Sequence, residues 1–344
     1  VIMASSGVLG LGTAFVGWYG FSVIATVYTK DLQSIGFPLP TSVTLCQFIV
    51  GALTGLVLIG LGATKLQPLE WATNGKGVSR ICLCYSLGHL LTNISFMAVA
   101  PSFSHTVKAL EPLYTVVLAR TFLRATFSTS VYVSLAVTVI GVVIASTKEL
   151  TFSAGGVGTV LLANLCFSSR NVFTATTNLD VLNLFLYVNT GSALLLLPWW
   201  LVSDLPSLMV PHGQGLAVED WHAVGFALLF CSLSHFAYNQ LSFAVLVRTS
   251  PVSHSVGNSL RRVVVIVASV VYFRVSMHPI NALGTALACG LTMHIQTHTH
   301  PHRHRHRRTH THTHIDDMMH HPSSLVNTNH HNHPHSQHTH TRLT

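Results

Sequence analysis

The chain has 344 residues, of which 49% are hydrophobic and only 8% are charged, and its formal net charge is +8. Soluble domains average about 25% charged residues. Together with a mean hydropathy of +0.50, this composition excludes a soluble globular protein and predicts a multi-pass, all-α membrane protein.

Ten apolar segments follow one another along the chain and predict ten transmembrane helices. They span residues 8–29, 40–62, 79–100, 103–120, 127–147, 155–176, 182–203, 222–246, 252–273 and 277–294. The basic residues of the connecting links are unequally divided between the two sides of the membrane. With the first helix starting inside, six lie inside (Lys65, Lys76, Arg80, Arg120, Arg124, Arg248) and three outside (Lys30, Lys148, Arg274). This bias favours both termini on the same, more basic side.

After about residue 295 the sequence changes to Thr-His repeats, and seventeen of the 24 histidines lie between His294 and the end. A basic, repetitive segment with few apolar residues cannot form a packed core. We therefore predict a disordered tail over residues 295–344. Binding of a metal or an anionic surface is the alternative, and the charge of the tail is not interpreted as nucleic-acid binding.

Two stretches of the chain resemble each other, Thr92–Pro112 and Tyr238–Arg262, with Asn93 matching Asn239. Five predicted helices separate equivalent positions, and because five is odd the two copies have opposite orientations in the membrane. Inverted repeats are typical of secondary transporters, which hold the substrate at the repeat interface near the middle of the bilayer. The predicted halves are residues 1–148 and 149–294.

The ninth segment carries two adjacent arginines, Arg261 and Arg262, at its middle. An arginine at the centre of a bilayer costs about 2.5–3.5 kcal/mol on insertion scales. The nearest acids in the sequence are Asp220 and Asp316, so no local partner is available. A buried cationic pair without its own acid indicates that the missing anion is a cargo.

Lys108 lies in the fourth segment and Arg170 stands alone in the sixth. Glu111 follows Lys108 at i+3, a spacing that permits a self-neutralised pair on one helix face; the other interpretation is that Glu111 positions a cation for the cargo. Arginine matches phosphate or carboxylate with two parallel hydrogen bonds, whereas lysine supplies a point charge. Four cations against one acid favour a small phosphate dianion with a second anionic or carbonyl group.

Several other polar residues lie within predicted helices. His89 and Thr92, spaced i, i+3, share one face of the third, and Tyr238 lies in the eighth. Each has a structural alternative, as a hydrogen-bonding or packing side chain. The six cysteines lie in apolar stretches and are interpreted as small packing residues, with a metal or redox pair of Cys82 and Cys84 as the alternative.

The segments SHTVKALEPLYTVVLA, SSRNVF and AYNQLSF, with SPVSHSVGNSLRRVVVIVASVVYF, resemble the plastid phosphate translocators over about residues 8–294. That family has ten helices in two inverted halves, the drug/metabolite transporter fold, and its triose-phosphate translocators are the most similar members. By resemblance the substrate-binding residues are His89, Thr92, Lys108, Arg170, Tyr238, Arg261 and Arg262. The family usually has lysine where Arg261 stands, which keeps the charge and changes the geometry.

The resemblance implies an antiporter that exchanges inorganic phosphate for triose phosphate or 3-phosphoglycerate across the inner envelope membrane of a plastid, with no cofactor. Lys108, Arg261 and Arg262, with Thr92 and Tyr238, are expected to hold the phosphate, and His89 and Arg170 to meet the other end of the substrate. Phosphoenolpyruvate, hexose or pentose phosphates, or a nucleotide sugar in a secretory membrane, are the alternative cargoes. A channel or receptor whose arginines pair with lipid headgroups is a further alternative. No nucleophile–base pair or metal-ligand cluster indicates an enzyme, and a monomer is compatible with the sequence.

Overall fold

The computed structural model describes residues 8–123, 126–147, 149–174, 179–210, 218–248 and 251–299. Within these ranges the regular secondary structure is helical. The α-helices in chain order are α1 Val8–Ser34, α2 Pro40–Gly60, α3 Lys76–Ala98, α4 Pro101–Val107, α5 Glu111–Leu123, α6 Thr129–Thr147, α7 Ala154–Thr174, α8 Val181–Ser203, α9 Leu205–Met209, α10 Trp221–Arg248, α11 Pro251–Tyr272 and α12 Pro279–Thr299. A π-helical turn, Trp71–Gly75, precedes α3, and a 3₁₀ turn, Lys108–Leu110, separates α4 from α5.

Nine of the ten predicted segments each coincide with one helix. The fourth, predicted as one span over residues 103–120, is instead divided among α4, the 3₁₀ turn and α5. The short helix α9 lies in the link predicted between the seventh and eighth segments. Helix α12 continues to Thr299, past the predicted end at residue 294, and the rest of the predicted tail lies outside the described residues.

Prolines mark where several helices begin, at Pro40, Pro101, Pro251 and Pro279. The N–H groups of a first helical turn have no acceptor within the helix, so a proline there loses no hydrogen bond. Its fixed φ also suits the helix. Proline is therefore compatible with these four starts, whereas inside a helix it removes a donor.

The helical unit differs from a soluble protein in its apolar surface and in the many polar side chains buried beside its apolar core. Large apolar side chains are more than half exposed on several helices, including Val57 at 59%, Leu194 at 65% and Val271 at 72%. The interior in turn holds buried polar side chains, among them Gln47, Asn93, Ser104, Asn164, Asn189 and His235. An extended apolar exterior is the surface that lipid chains solvate, and it marks a membrane-contacting face.

Five of the described helices are long and apolar enough to cross a membrane, judged by length and composition alone: Gly10–Ser34, Pro40–Gly60, Lys76–Ala98, Thr129–Thr147 and Val181–Ser203. Helices α7, α10, α11 and α12 have 21 to 28 residues, and at 1.5 Å per residue each reaches about 30 Å. These four carry polar residues along their length, such as Arg170, Asn239, Arg261 and Asn281.

The helices pack in pairs. The most extensive contacts join α1 with α10, α6 with α12, α3 with α7, and α2 with α8. Helix α11 lies against α1, α4 and α12, so the segment with the paired arginines reaches the divided fourth segment.

Small residues allow α6 and α12 to approach closely. A Cβ added to Gly284 would lie 2.4 Å from the backbone nitrogen of Ala145, and one on Gly141 would lie 2.7 Å from that of Ala288. Each helix therefore presents a small-xxx-small pattern, the arrangement that brings helix backbones together in membranes.

We expect Gly284→Ala to lower the melting temperature of the detergent-solubilised protein. The added methyl group meets backbone atoms, and overpacking costs about 1–3 kcal/mol. The matched control is Gly290→Ala on the same helix, where an added Cβ has no atom within 4 Å. The control should keep or raise the melting temperature, because alanine is the better helix former. Equal melting temperatures for the two variants would contradict the close approach of α6 and α12.

Candidate functional site

The interruption between α4 and α5 follows from Pro112. In a continuous α-helix the residue at position 112 donates its N–H to the carbonyl of Lys108, and proline has no N–H to donate. The chain tightens into a 3₁₀ turn, in which the Glu111 N–H donates to the Lys108 carbonyl. The side chain of Arg262 on α11 also donates, through Nη1, to this carbonyl. A distant arginine is thus anchored to the backbone at the break.

Helix α7 supports the break from the other side. Asn164 Nδ2 donates to the Val107 carbonyl at 3.1 Å, and Ser168 Oγ donates to the Glu111 carbonyl at 3.1 Å. The two donors are one helical turn apart and fully buried. Backbone groups freed by a broken membrane helix must find partners within the protein, and α7 and α11 provide them here.

Arg262 forms an ion pair with Glu111, with 2.5 Å between Nη2 and Oε2, and the two side chains are 5% and 20% exposed. The other carboxylate oxygen of Glu111 accepts from Asn171 Nδ2 at 3.3 Å. The sequence offered a pair between Glu111 and Lys108 as one alternative. The structure instead pairs Glu111 with Arg262, so the carboxylate neutralises the arginine.

Lys108 forms no salt bridge with any side chain that the structure describes. Its ammonium lies over two aromatic rings, 5.9 Å from the centre of Phe96 and 5.4 Å from that of Phe167. It is close enough to Arg261 and Arg262 for the three charges to repel one another. The rings offset part of this cost through cation–π contacts, and a bound anion would offset much more.

Arg170 shares one of these rings. Its guanidinium carbon lies 5.3 Å from the centre of Phe167 and 5.7 Å from that of Tyr85. Nε and Nη2 both donate to the Asn171 side-chain oxygen, at 3.2 and 2.7 Å. Arg170 therefore has a neutral partner and keeps its positive charge uncompensated within the described structure.

Arg261 points toward a different set of partners. Its guanidinium carbon lies 5.6 Å from the ring centre of Tyr238 and 6.0 Å from that of Trp18. Nε donates to the Asn258 side chain at 3.2 Å, and Nη1 donates to Ser22 Oγ at 3.4 Å. All these partners are neutral, so the charge of Arg261 is also not matched by a described acid.

The predicted pair on α3 is buried, with His89 at 8% and Thr92 at 6% exposure. Thr92 Oγ1 donates to the Gly88 carbonyl of its own helix at 2.8 Å, so its hydroxyl remains available as an acceptor. His89 Nδ1 lies 3.3 Å from Nε2 of His235, and His89 Nε2 has no described partner. The His89 ring also meets Phe167, with 5.0 Å between ring centres.

Five of the seven predicted residues thus form two linked groups. Lys108, Arg170 and His89 meet around Phe167, and Arg261 meets Tyr238 beside Trp18. His235 joins the two groups, because its ring lies 4.6 Å from that of His89 and 5.3 Å from that of Tyr238. Thr92 lies one turn beyond His89, and Arg262 lies at the helix break.

Sequence reasoning missed His235, although a signal was present. Asn93 and Asn239 match in the two copies of the repeat at an offset of 146 residues, and the same offset carries His89 onto His235. His105 was also not singled out; it is buried, and its Nε2 has no described partner. No group of three or more His, Cys, Asp or Glu side chains able to hold a metal occurs in the part of the chain that the structure describes.

The arrangement can bind a compact anion with two ends. Of the described carboxylates, only Glu111 lies within salt-bridge distance of any of the four cations, and both of its oxygens already accept hydrogen bonds. Lys108, Arg170 and Arg261 have no acidic partner among the described residues.

Comparison with known proteins identifies similar chains. The model of the triose-phosphate transporter family matches residues 9–293. The phosphoenolpyruvate/phosphate translocator 1 of Oryza sativa is 35% identical over 290 residues, covering 81% of this chain and 69% of its own. The triose phosphate/phosphate translocator of Zea mays is 33% identical, covering 82% and 70%. The non-green plastid triose phosphate/phosphate translocator of Brassica oleracea is 35% identical, covering 82% and 71%.

The contacts of Glu111 yield a test by double-mutant cycle. We expect Glu111→Gln and Arg262→Met to be strongly non-additive in the free energy of unfolding in detergent. The coupling should be about 1–3 kcal/mol, because each single variant leaves its partner buried without a counter-charge. The control cycle combines Glu111→Gln with Lys108→Met and should give a smaller coupling. A larger coupling with Lys108 would contradict the observed pairing.

Proposed function

The chain belongs to the triose-phosphate transporter family, and on that premise we propose that it exchanges inorganic phosphate for a three-carbon phosphorylated metabolite across a plastid envelope membrane. Triose phosphate and 3-phosphoglycerate are the proposed cargoes, and the protein's activity is transport rather than chemical conversion. The observation that carries this proposal is the excess of partly buried cations: Lys108, Arg170 and Arg261 have no acidic partner among the described residues, and the acid Glu111 is paired with Arg262. Such a site requires an anion.

The phosphate end is assigned to Lys108 and Arg261. Lys108 has no acidic partner among the described residues and offers three N–H donors. Arg261 is held by Asn258 and Ser22 with part of its guanidinium fork still available. Tyr238 supplies a ring face for Arg261. Thr92 donates its hydroxyl proton to the Gly88 carbonyl and would have to turn it toward the ligand to donate to phosphate. Their contacts with phosphate remain predictions.

Arg262 takes a more specific role in this proposal. Both of its terminal nitrogens are engaged, one by Glu111 and one by the Lys108 carbonyl. We assign it to hold the broken helix so that the Lys108 side chain faces the cargo. Direct contact between Arg262 and phosphate, as predicted from the resemblance, stays a prediction; it would use Nε–H or the second hydrogen of either terminal nitrogen.

The non-phosphate end is assigned to His89 and Arg170. Both lie against Phe167, beside Lys108, so they surround a position next to the phosphate end. An arginine and an imidazole together suit a carboxylate or carbonyl oxygen. Phosphoenolpyruvate, which has a carboxylate at this end, is the second candidate cargo, because translocators named for it match this chain as well as those named for triose phosphate.

We propose further that the helical unit consists of two inverted five-helix halves, residues 1–148 and 149–294. The helix packing supports this division. Exchanging α1 with α7, α2 with α8, α3 with α10 and α6 with α12 converts the contact of α1 with α10 into that of α7 with α3. The same exchange leaves the contact of α2 with α8 and that of α6 with α12 unchanged. All four contacts occur in the structure. In transporters with such repeats the substrate lies at the interface of the halves.

The charges also account for coupling between the two directions of transport. Alternating access passes through a state closed on both sides, and an empty site would then hold uncompensated cations away from water. Each such ion costs several kcal/mol even after relaxation, and every 1.4 kcal/mol slows passage about tenfold. A phosphate dianion neutralises most of this charge. The loaded protein therefore passes through the closed state, and the empty protein does not.

Replacement of the cations tests the assignment. Lys108→Ala and Arg261→Ala, each reconstituted in phosphate-loaded vesicles, should reduce exchange of labelled phosphate more than about tenfold, because each removes a charge-assisted contact worth about 1.5–3 kcal/mol. The control is Arg120→Ala, which removes an exposed arginine that donates to the Tyr132 hydroxyl and should keep wild-type exchange. Retention of more than half of the exchange by either test variant would remove that residue from the site.

A further inference from the structure

Two histidines meet in the interior at equivalent positions of the repeat. His89 on α3 and His235 on α10 are 146 residues apart, and both are more than nine-tenths buried. Their rings lie 4.6 Å apart at an angle of 86°, with 3.3 Å between His235 Nε2 and His89 Nδ1. A contact between ring nitrogens at this distance is a hydrogen bond, so one of the two nitrogens carries the proton.

The surroundings leave one nitrogen of the pair without a partner. The rings of Tyr85, Phe167 and Tyr238 enclose the two imidazoles, and Arg170 lies over Tyr85 and Phe167. His89 Nε2 is buried and makes no hydrogen bond to any described residue. A buried polar atom without a partner is costly, and this one belongs to the ring that meets Phe167, which Lys108 and Arg170 also contact.

The shared hydrogen bond sets what that free nitrogen can do. When His235 donates from Nε2, His89 accepts at Nδ1 and its own proton is on Nε2. The free position of His89 is then an N–H donor. A donor is what a carboxylate or carbonyl oxygen requires, because such oxygens only accept hydrogen bonds.

We propose that His235 is a specificity-determining positioning residue: it donates to His89 Nδ1 and thereby presents His89 Nε2–H to an acceptor oxygen at the non-phosphate end of an organic cargo. This inference rests on the proposed phosphate exchange. Inorganic phosphate has no second end, so its binding does not use this donor. The two repeat halves thus cooperate at this point, with one supplying the ligand-facing ring and the other fixing its tautomer.

The test compares two replacements of His235 that are alike in size and unbranched shape. His235→Gln retains an N–H donor, and His235→Met does not. Exchange is measured in reconstituted vesicles with either phosphate or 3-phosphoglycerate outside and phosphate inside. We expect His235→Met to raise the KM for 3-phosphoglycerate about tenfold, equivalent to about 1.4 kcal/mol, while the KM for phosphate changes less than twofold. His235→Gln should restore the KM for 3-phosphoglycerate to within about threefold of wild type.

Three results would overturn the proposal. If His235→Met raises both KM values equally, His235 acts only in packing. If it leaves the KM for 3-phosphoglycerate within twofold of wild type, His89 does not depend on it. If His235→Gln and His235→Met raise that KM equally, the hydrogen bond is not the cause. Failure of the wild-type protein to exchange phosphate would instead contradict the proposed function, so the two failures are distinguishable.

Discussion

Buried positive charge requires a nearby negative charge, and this requirement organises the centre of the protein. Lys108, Arg170, Arg261 and Arg262 come from three separate parts of the chain, and among the described residues Glu111 alone forms a salt bridge with one of them. Each oxygen of that carboxylate accepts a hydrogen bond, one from Arg262 and one from Asn171. The protein retains three cations whose described partners are aromatic rings and neutral polar groups. Rings and amides hold a cation in place without cancelling its charge, so the site remains able to bind an anion.

The missing N–H of Pro112 connects this charge distribution to the backbone. In a continuous helix, backbone N–H groups would donate to the carbonyls of Val107 and Lys108. These carbonyls would then need no hydrogen bonds from side chains of α7 or α11. At the break, Asn164 and Arg262 take these positions. Because Pro112 breaks the helix, Arg262 from the second half of the chain can donate to the carbonyl of Lys108, the residue expected to bind phosphate. The discontinuous helices of other transporters place exposed backbone groups at the substrate in a comparable way.

Much of this arrangement could be predicted from the sequence, and what could not has a physical reason. The length and composition of the apolar segments located nine helices. The scarcity of acids near Lys108, Arg170, Arg261 and Arg262 indicated that these cations bind an anionic cargo. The partner of Glu111 was not predictable, because i, i+3 spacing describes only one helix and Arg262 arrives from 151 residues away. The break at residues 108–110 was missed although Pro112 marks it, because proline is tolerated inside membrane helices and does not by itself divide a span. His235 was accessible in principle through the offset of the repeat, but a single histidine in an apolar helix is more commonly structural.

The central claim is that the uncompensated cations prevent the empty binding site from switching between the two sides of the membrane. The most direct measurement is release of labelled phosphate from loaded proteoliposomes, first into buffer without substrate and then after phosphate or 3-phosphoglycerate is added outside. The charge account predicts that release is slow without external substrate and accelerates by orders of magnitude when either substrate is supplied. Release into substrate-free buffer at nearly the same rate would contradict it and would indicate a uniporter or a channel.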